Sequence, residues 1–93
     1  MMASSITIEL ISSIACHRCE EARARLQTLL AEVNDERIRY CEVDVLKALD
    51  YAVSLGVLTT PAIAINGELV FSALPSRARL RRELQQRIAG LSP

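Results

Sequence analysis

The chain is 93 residues long, with 11 basic and 11 acidic side chains balancing to zero net charge. That length fits one compact domain rather than two. A hydrophobic share of 51% excludes disorder, while neutrality and an aromatic share of only 3% argue against a nucleic-acid partner or a membrane-surface role.

No run approaches the roughly 20 apolar residues of a membrane span. Residues 1–5 lack the basic start of a secretory leader. The cytoplasm is the expected compartment, with residues 1–5 as a tail and residues 6–93 as one domain.

Residues 6–11, Ile-Thr-Ile-Glu-Leu-Ile, alternate and are β-branched, which predicts a strand. Ser12 to Ala15 form a loop that delivers Cys16. Residues 17–33 then read as a helix, with Cys19, Ala22, Leu26, Leu29 and Val33 on one stripe and Glu20 and Glu21 in the first turn. Asn34 and Asp35 close it.

Residues 37–43 alternate again, with Arg37, Arg39, Cys41 and Val43 on one face and Ile38, Tyr40 and Glu42 on the other. Asp44 reads as the N-cap of a second helix whose apolar positions are Leu46, Leu49, Ala52 and Val53, and Gly56 stops it. Two short strands, residues 62–65 and 68–72, flank Asn66-Gly67, a strong hairpin signal because a type I′ turn needs positive φ at both central residues. Ser76 caps a last helix with Leu80, Leu84, Ile88 and Leu91 as its stripe. The order β-α-β-α-β-β-α makes this an α/β chain. Its first strand-helix-strand unit implies a parallel pair, and its hairpin an antiparallel one.

Cys16-His17-Arg18-Cys19 sits at the boundary between the first strand and the first helix. Two thiols at this spacing either cycle between dithiol and disulfide or clamp a soft metal ion. The helix N-terminus stabilises a thiolate at Cys16, and Arg18 and a charged His17 lower its pKa further. Cys19 shares the apolar stripe and is expected to be buried. An exposed attacking thiolate beside a sheltered resolving thiol is what disulfide exchange requires. Pro61 opens the third strand. A cis Thr60–Pro61 bond would bring the Thr60 backbone beside the thiols, able to pair with an extended substrate, but sequence leaves the isomer open.

The strand–Cys-x-x-Cys–helix unit, Leu58-Thr59-Thr60-Pro61-Ala62, the Ile65-Asn66-Gly67-Glu68 hairpin and the terminal helix together resemble the thioredoxin/glutaredoxin superfamily over residues 5–91. The resemblance implies a four-stranded mixed sheet with helices on both faces. It implies Cys16 as nucleophile, Cys19 as resolving thiol, Pro61 as a cis-proline and Thr60 beside the substrate. The redox centre would be the Cys16–Cys19 disulfide itself, with no separate cofactor and no metal. A protein disulfide would be the substrate, a thiol or flavoprotein reductase the electron donor, and the protein a monomer. Cys-His-Arg-Cys is similar to the Cys-His-x-Cys of the N-terminal redox domain of the alkyl hydroperoxide reductase flavoprotein.

The chain departs from its relatives at identifiable positions. Ala15 and His17-Arg18 replace the Trp and Gly-Pro of thioredoxins proper, and Leu10 stands where they keep a buried acid, with Glu9 on the other face. Ser72-Ala73-Leu74-Pro75-Ser76 replaces the Gly-Gly and acidic pair by which glutaredoxins hold glutathione, so strong glutathione binding is not expected.

The competing expectation is a soft-metal carrier for copper, zinc or mercury using Cys16 and Cys19. Such carriers end on a strand, whereas this chain ends on a helix. Cys41 is expected to be a buried structural thiol. The arginines at 77, 79, 81, 82 and 87 read as a solvated helix face, with docking of an acidic partner as the sharper option.

Overall fold

The computed structural model describes residues 5–91, so the expected tail lies outside the described residues except for Ser5. The elements are β1 (Ile6–Ser12), α1 (His17–Val33), β2 (Ile38–Asp44), α2 (Leu49–Leu55), β3 (Ala62–Ile65), β4 (Glu68–Phe71) and α3 (Arg77–Ala89). They form one four-stranded sheet in the order β2-β1-β3-β4. β1 runs parallel to β2 and antiparallel to β3, and β3 pairs antiparallel with β4.

β1 has a paired neighbour on each side, which explains its near-continuous apolar run. Ile6, Ile8 and Leu10 bury against Ala22, Leu26 and Leu29 of α1, Leu80 and Leu84 of α3, and Ile63 and Ile65 of β3. Fully burying each Leu or Ile contributes about 1.5–3 kcal/mol. α2 covers the opposite face, where Tyr51 donates a hydrogen bond to Glu9. The helices therefore lie on both faces of a mixed sheet, as expected.

Local signals explain the boundaries. Asn34 is left-handed at φ 49° and its N–H reaches the Leu30 carbonyl, ending α1. Asn66 and Gly67 have φ of 52° and 77°, the positive values the tight turn requires. The Asn66 side chain also accepts the Thr7 N–H at 2.9 Å, tying the hairpin to β1. Ser76 Oγ accepts the Arg79 N–H at 3.2 Å and caps α3.

Two expectations are corrected. Asp44 does not cap α2. It ends β2, its carboxylate accepts the Leu46 N–H at 2.8 Å, and its carbonyl holds the Lys47 and Ala48 N–H groups in a turn before α2 begins. Leu46, Leu49 and Val53 are 68%, 54% and 67% exposed. The stripe that faces the sheet is instead Val45, Ala48, Ala52 and Leu55. It has the same helical spacing in a shifted frame, and its small alanines let a short helix lie close to the sheet.

Cys41 is exposed, not buried. β2 is an edge strand, and the face carrying Cys41 receives only partial cover from seven-residue α2. Its register partner is Glu9. Burial of part of the thiol, then the Glu9 charge, push its pKa up.

Candidate active site: a disulfide at a helix N-terminus

Cys16 and Cys19 are joined in a disulfide with a Cα–Cα separation of 5.2 Å. β1 delivers the pair through the short loop Ser13–Ala15. Ala15 turns that loop with φ 59°, a left-handed conformation that costs a residue with a Cβ roughly 1–2 kcal/mol. Cys16 is then the extended N-cap of α1, and its Sγ accepts the Cys19 N–H at 3.1 Å. The sulfur lies at the positive end of the helix dipole and is satisfied by a backbone donor, both of which favour a thiolate in the reduced form. Cys16 is half-buried, whereas Cys19, on the buried side of α1, is 2% exposed.

The two residues between the thiols face different surroundings. His17 lines a pocket of about 330 Å³ with both cysteines, Ser12, Glu20, Arg23 and Asp44. Arg18 lines a separate groove of about 210 Å³ with Thr59, Thr60, Pro61 and Ser72 to Leu74. Arg18 is 66% exposed and 3.8 Å from Glu21, so its field at Cys16 is screened by solvent and by that carboxylate.

The Thr60–Pro61 peptide bond is cis. Ser13 and Thr60 place their hydroxyls 2.8 Å apart, which joins the thiol loop to the proline loop. Cys16, His17, Arg18, Cys19, Thr60 and Pro61 therefore converge on one end of the sheet, whereas Cys41 and the α3 arginines lie elsewhere.

Sequence reasoning missed a second group at that end. Leu10 is fully buried, and its register partner on parallel β2 is Glu42. The Glu42 carboxylate accepts the Ser12 hydroxyl at 3.0 Å and the Arg23 Nε and Nη2 at 2.7 and 2.6 Å. The Arg23 guanidinium, then the Ser12 hydroxyl, hold its carboxyl below the usual carboxylate range against the opposing effect of burial. The alternation of Ile38, Tyr40 and Glu42 was the available signal, but it needed the β1–β2 register to acquire meaning.

Among the described residues no group of three or more His, Cys, Asp or Glu side chains is placed to hold a metal ion. The helix α2 stands between β2 and β3, which the strand-helix-strand-strand-helix-strand order of such carriers lacks, so the soft-metal carrier finds no support.

A family model described as a thioredoxin domain matches residues 5–85. The chain belongs to the thioredoxin family. It is 27% identical to the thioredoxin of Methanocaldococcus jannaschii over 86 residues, covering 91% of this chain and 99% of that one. It is 32% identical to a probable thioredoxin of Methanothermobacter thermautotrophicus, covering 81% and 87% of the two chains. The crystal structure of chloroplastic thioredoxin z superposes with a TM-score of 0.76 at 19% identity, over 94% of this chain and 81% of that one.

As a thioredoxin-family member the chain is a thiol–disulfide oxidoreductase with the Cys16–Cys19 pair. Thioredoxins need no cofactor, because the redox couple is the protein's own disulfide, and the family acts on protein disulfides with a reductase as partner in general. Among the described residues no helix is long and apolar enough to cross a membrane.

Proposed function

We propose that this thioredoxin reduces or exchanges protein disulfides with Cys16 as the attacking thiolate and Cys19 as the resolving thiol. The observation that carries this assignment is the asymmetry of the pair: Cys16 accepts a backbone N–H at the mouth of α1, while Cys19, in the first turn of α1, is 2% exposed. The Cys16 thiolate attacks one sulfur of the substrate disulfide and displaces the other as a thiolate. Cys19, deprotonated, then attacks Cys16 and releases the second substrate sulfur.

Thr60 and Pro61 line the groove in which an extended substrate strand would lie, together with Arg18. A charged His17 tunes the potential by favouring the thiolate of the reduced form, and Arg18 does so more weakly because it is exposed and faces Glu21. A thiol or flavoprotein reductase would return the disulfide to the dithiol. The protein would act as a monomer in the cytoplasm.

The test is insulin reduction in the presence of a dithiol donor, together with trapping of the intermediate. Parent protein is expected to be active, Cys16→Ser inactive, and Cys19→Ser to accumulate a mixed disulfide through Cys16. A mixed disulfide that forms through Cys19 in Cys16→Ser, with activity retained, would reverse the assigned roles. Absence of any reversible two-electron couple in the parent would refute the reading altogether.

A further inference from the structure

Resolution of a mixed disulfide requires the Cys19 thiolate. Yet Cys19 is 2% exposed, and a thiol in apolar surroundings resists losing its proton. On β1, Leu10, fully buried and paired in register with Glu42, carries no polar group.

One permanent cation lines the pocket that Cys19 also lines. Arg23 lies one helical turn beyond Cys19, where side chains four residues apart are neighbours. Both line the pocket of about 330 Å³ beside the disulfide, and Arg23 is the only Lys or Arg among its lining residues. Its guanidinium is clamped in bidentate fashion by Glu42. Glu42 in turn receives the hydroxyl of Ser12, a polar residue only 6% exposed. Such a fork fixes the direction of the charge as well as its presence.

We propose that Arg23, oriented by Glu42 and Ser12, stabilises the thiolate that develops on Cys19 and thereby sets the rate at which the mixed disulfide resolves. This rests on the exchange reading above. In that step the Cys19 S–H gives its proton to water in the pocket. The sulfur electron pair forms the Cys19–Cys16 bond. The bond between Cys16 and the substrate sulfur breaks, and its electron pair leaves on the substrate sulfur, which takes a proton from solvent. Two electrons pass from the two protein thiols to the substrate disulfide.

Glu42, held ionised at neutral pH by Arg23, acts as an anchor rather than as the proton acceptor. The other titratable groups facing the pocket are His17 and Glu20 on α1 and Asp44 on β2. β1 and the loop after it contribute only the uncharged Ser12, Ser13, Ile14 and Ala15, and Glu9 lies on the opposite face, where it accepts from Tyr51. Glu20 and Asp44 oppose thiolate formation, and the Glu42 carboxylate offsets part of the Arg23 charge, so Arg23 acts as the one permanent positive charge among the pocket's lining residues. Ser12 and Glu42 are positioning residues.

The test titrates Cys19 in reduced protein carrying Cys16→Ser and Cys41→Ser, where it is the one remaining cysteine, by thiolate absorbance and by alkylation rate against pH. Adding Arg23→Gln is expected to lower the thiolate fraction at neutral pH about threefold, well short of an unscreened neighbouring charge because Arg23 is partly exposed. Arg23→Lys is expected to restore part of it. With both cysteines present, Arg23→Gln should slow decay of the mixed disulfide by a similar factor and leave the Cys16 titration unchanged. An unchanged Cys19 titration, or equal shifts at both thiols, would overturn the proposal and reduce Arg23–Glu42 to a tie between α1 and β2. Failure of the parent to form any mixed disulfide would instead count against the exchange reading, while the Cys19 titration would still decide the role of Arg23.

Discussion

The hydroxyls of Ser13 and Thr60 lie 2.8 Å apart and bridge two loops that are 47 residues apart in sequence. One loop carries the thiols and the other carries the cis-proline, so this contact fixes the distance between the two motifs. Ser13→Ala should cost about 0.5–1.5 kcal/mol of stability, the net worth of a hydrogen bond. It should also raise KM for a disulfide protein more than it lowers kcat. Urea unfolding and steady-state kinetics check both, and an unaltered KM would mean that the loops are held by packing alone.

The corrected face of α2 separates two kinds of leucine. Leu84 is fully buried in the core, whereas Leu49 is 54% exposed. Leu84→Ala should destabilise by about 2–5 kcal/mol, through lost burial and the cavity left behind. Leu49→Gln should stay within about 0.5 kcal/mol. Comparable losses at both sites in denaturant titrations would return α2 to the core.

Cys41 is exposed but poorly ionised, because partial burial and then the Glu9 charge raise its pKa. In the reduced protein at neutral pH, iodoacetamide should therefore modify Cys16 well before Cys41. Cys41→Ser should leave disulfide exchange intact and alter stability by no more than about 0.5 kcal/mol. Peptide mapping of the alkylated protein gives the order, and Cys41 reacting first would contradict it.

Asp35, in the turn between α1 and β2, is held down to about 2 by the side chain and then the backbone N–H of Arg37. A folded-state pKa below the ordinary 3.8 stabilises the protein above that value, and the benefit is lost as pH falls toward about 2. The stability difference between parent and Asp35→Asn should therefore be widest above pH 4 and close on further acidification. Urea midpoints over the acid range check this. A gap that stays constant with pH would show that the carboxylate charge plays no part.

The arginines of α3 also resolve on structural grounds. Arg77 and Arg81 hold Glu32 of α1, Arg87 pairs with Glu83, and Arg79 lies over the Phe71 ring. Four of the five are engaged within the chain, in keeping with a solvated helix face. Their number in the sequence said nothing about this, because Glu32 is 45 residues away from Arg77.

What the sequence determined by itself was local. Alternation marked β1, the apolar stripe marked α1, Asn66-Gly67 marked the hairpin, and Cys-x-x-Cys at a strand–helix boundary marked the redox centre. Each signal lies within one element or one turn, where backbone geometry dictates which residue types fit.

The tertiary structure decided which faces are covered and which distant groups meet. Leu46, Leu49 and Val53 have a helical spacing as good as that of Val45, Ala48, Ala52 and Leu55, and only packing against the sheet selects the second stripe. Cys41 has the composition of a buried strand position, and only the edge location of β2 exposes it. Glu42 is an ordinary acid until the parallel register sets it beside Leu10, under Ser12 and within the fork of Arg23. In these three cases burial and pairing depend on contacts between residues far apart in the chain, which no local pattern encodes.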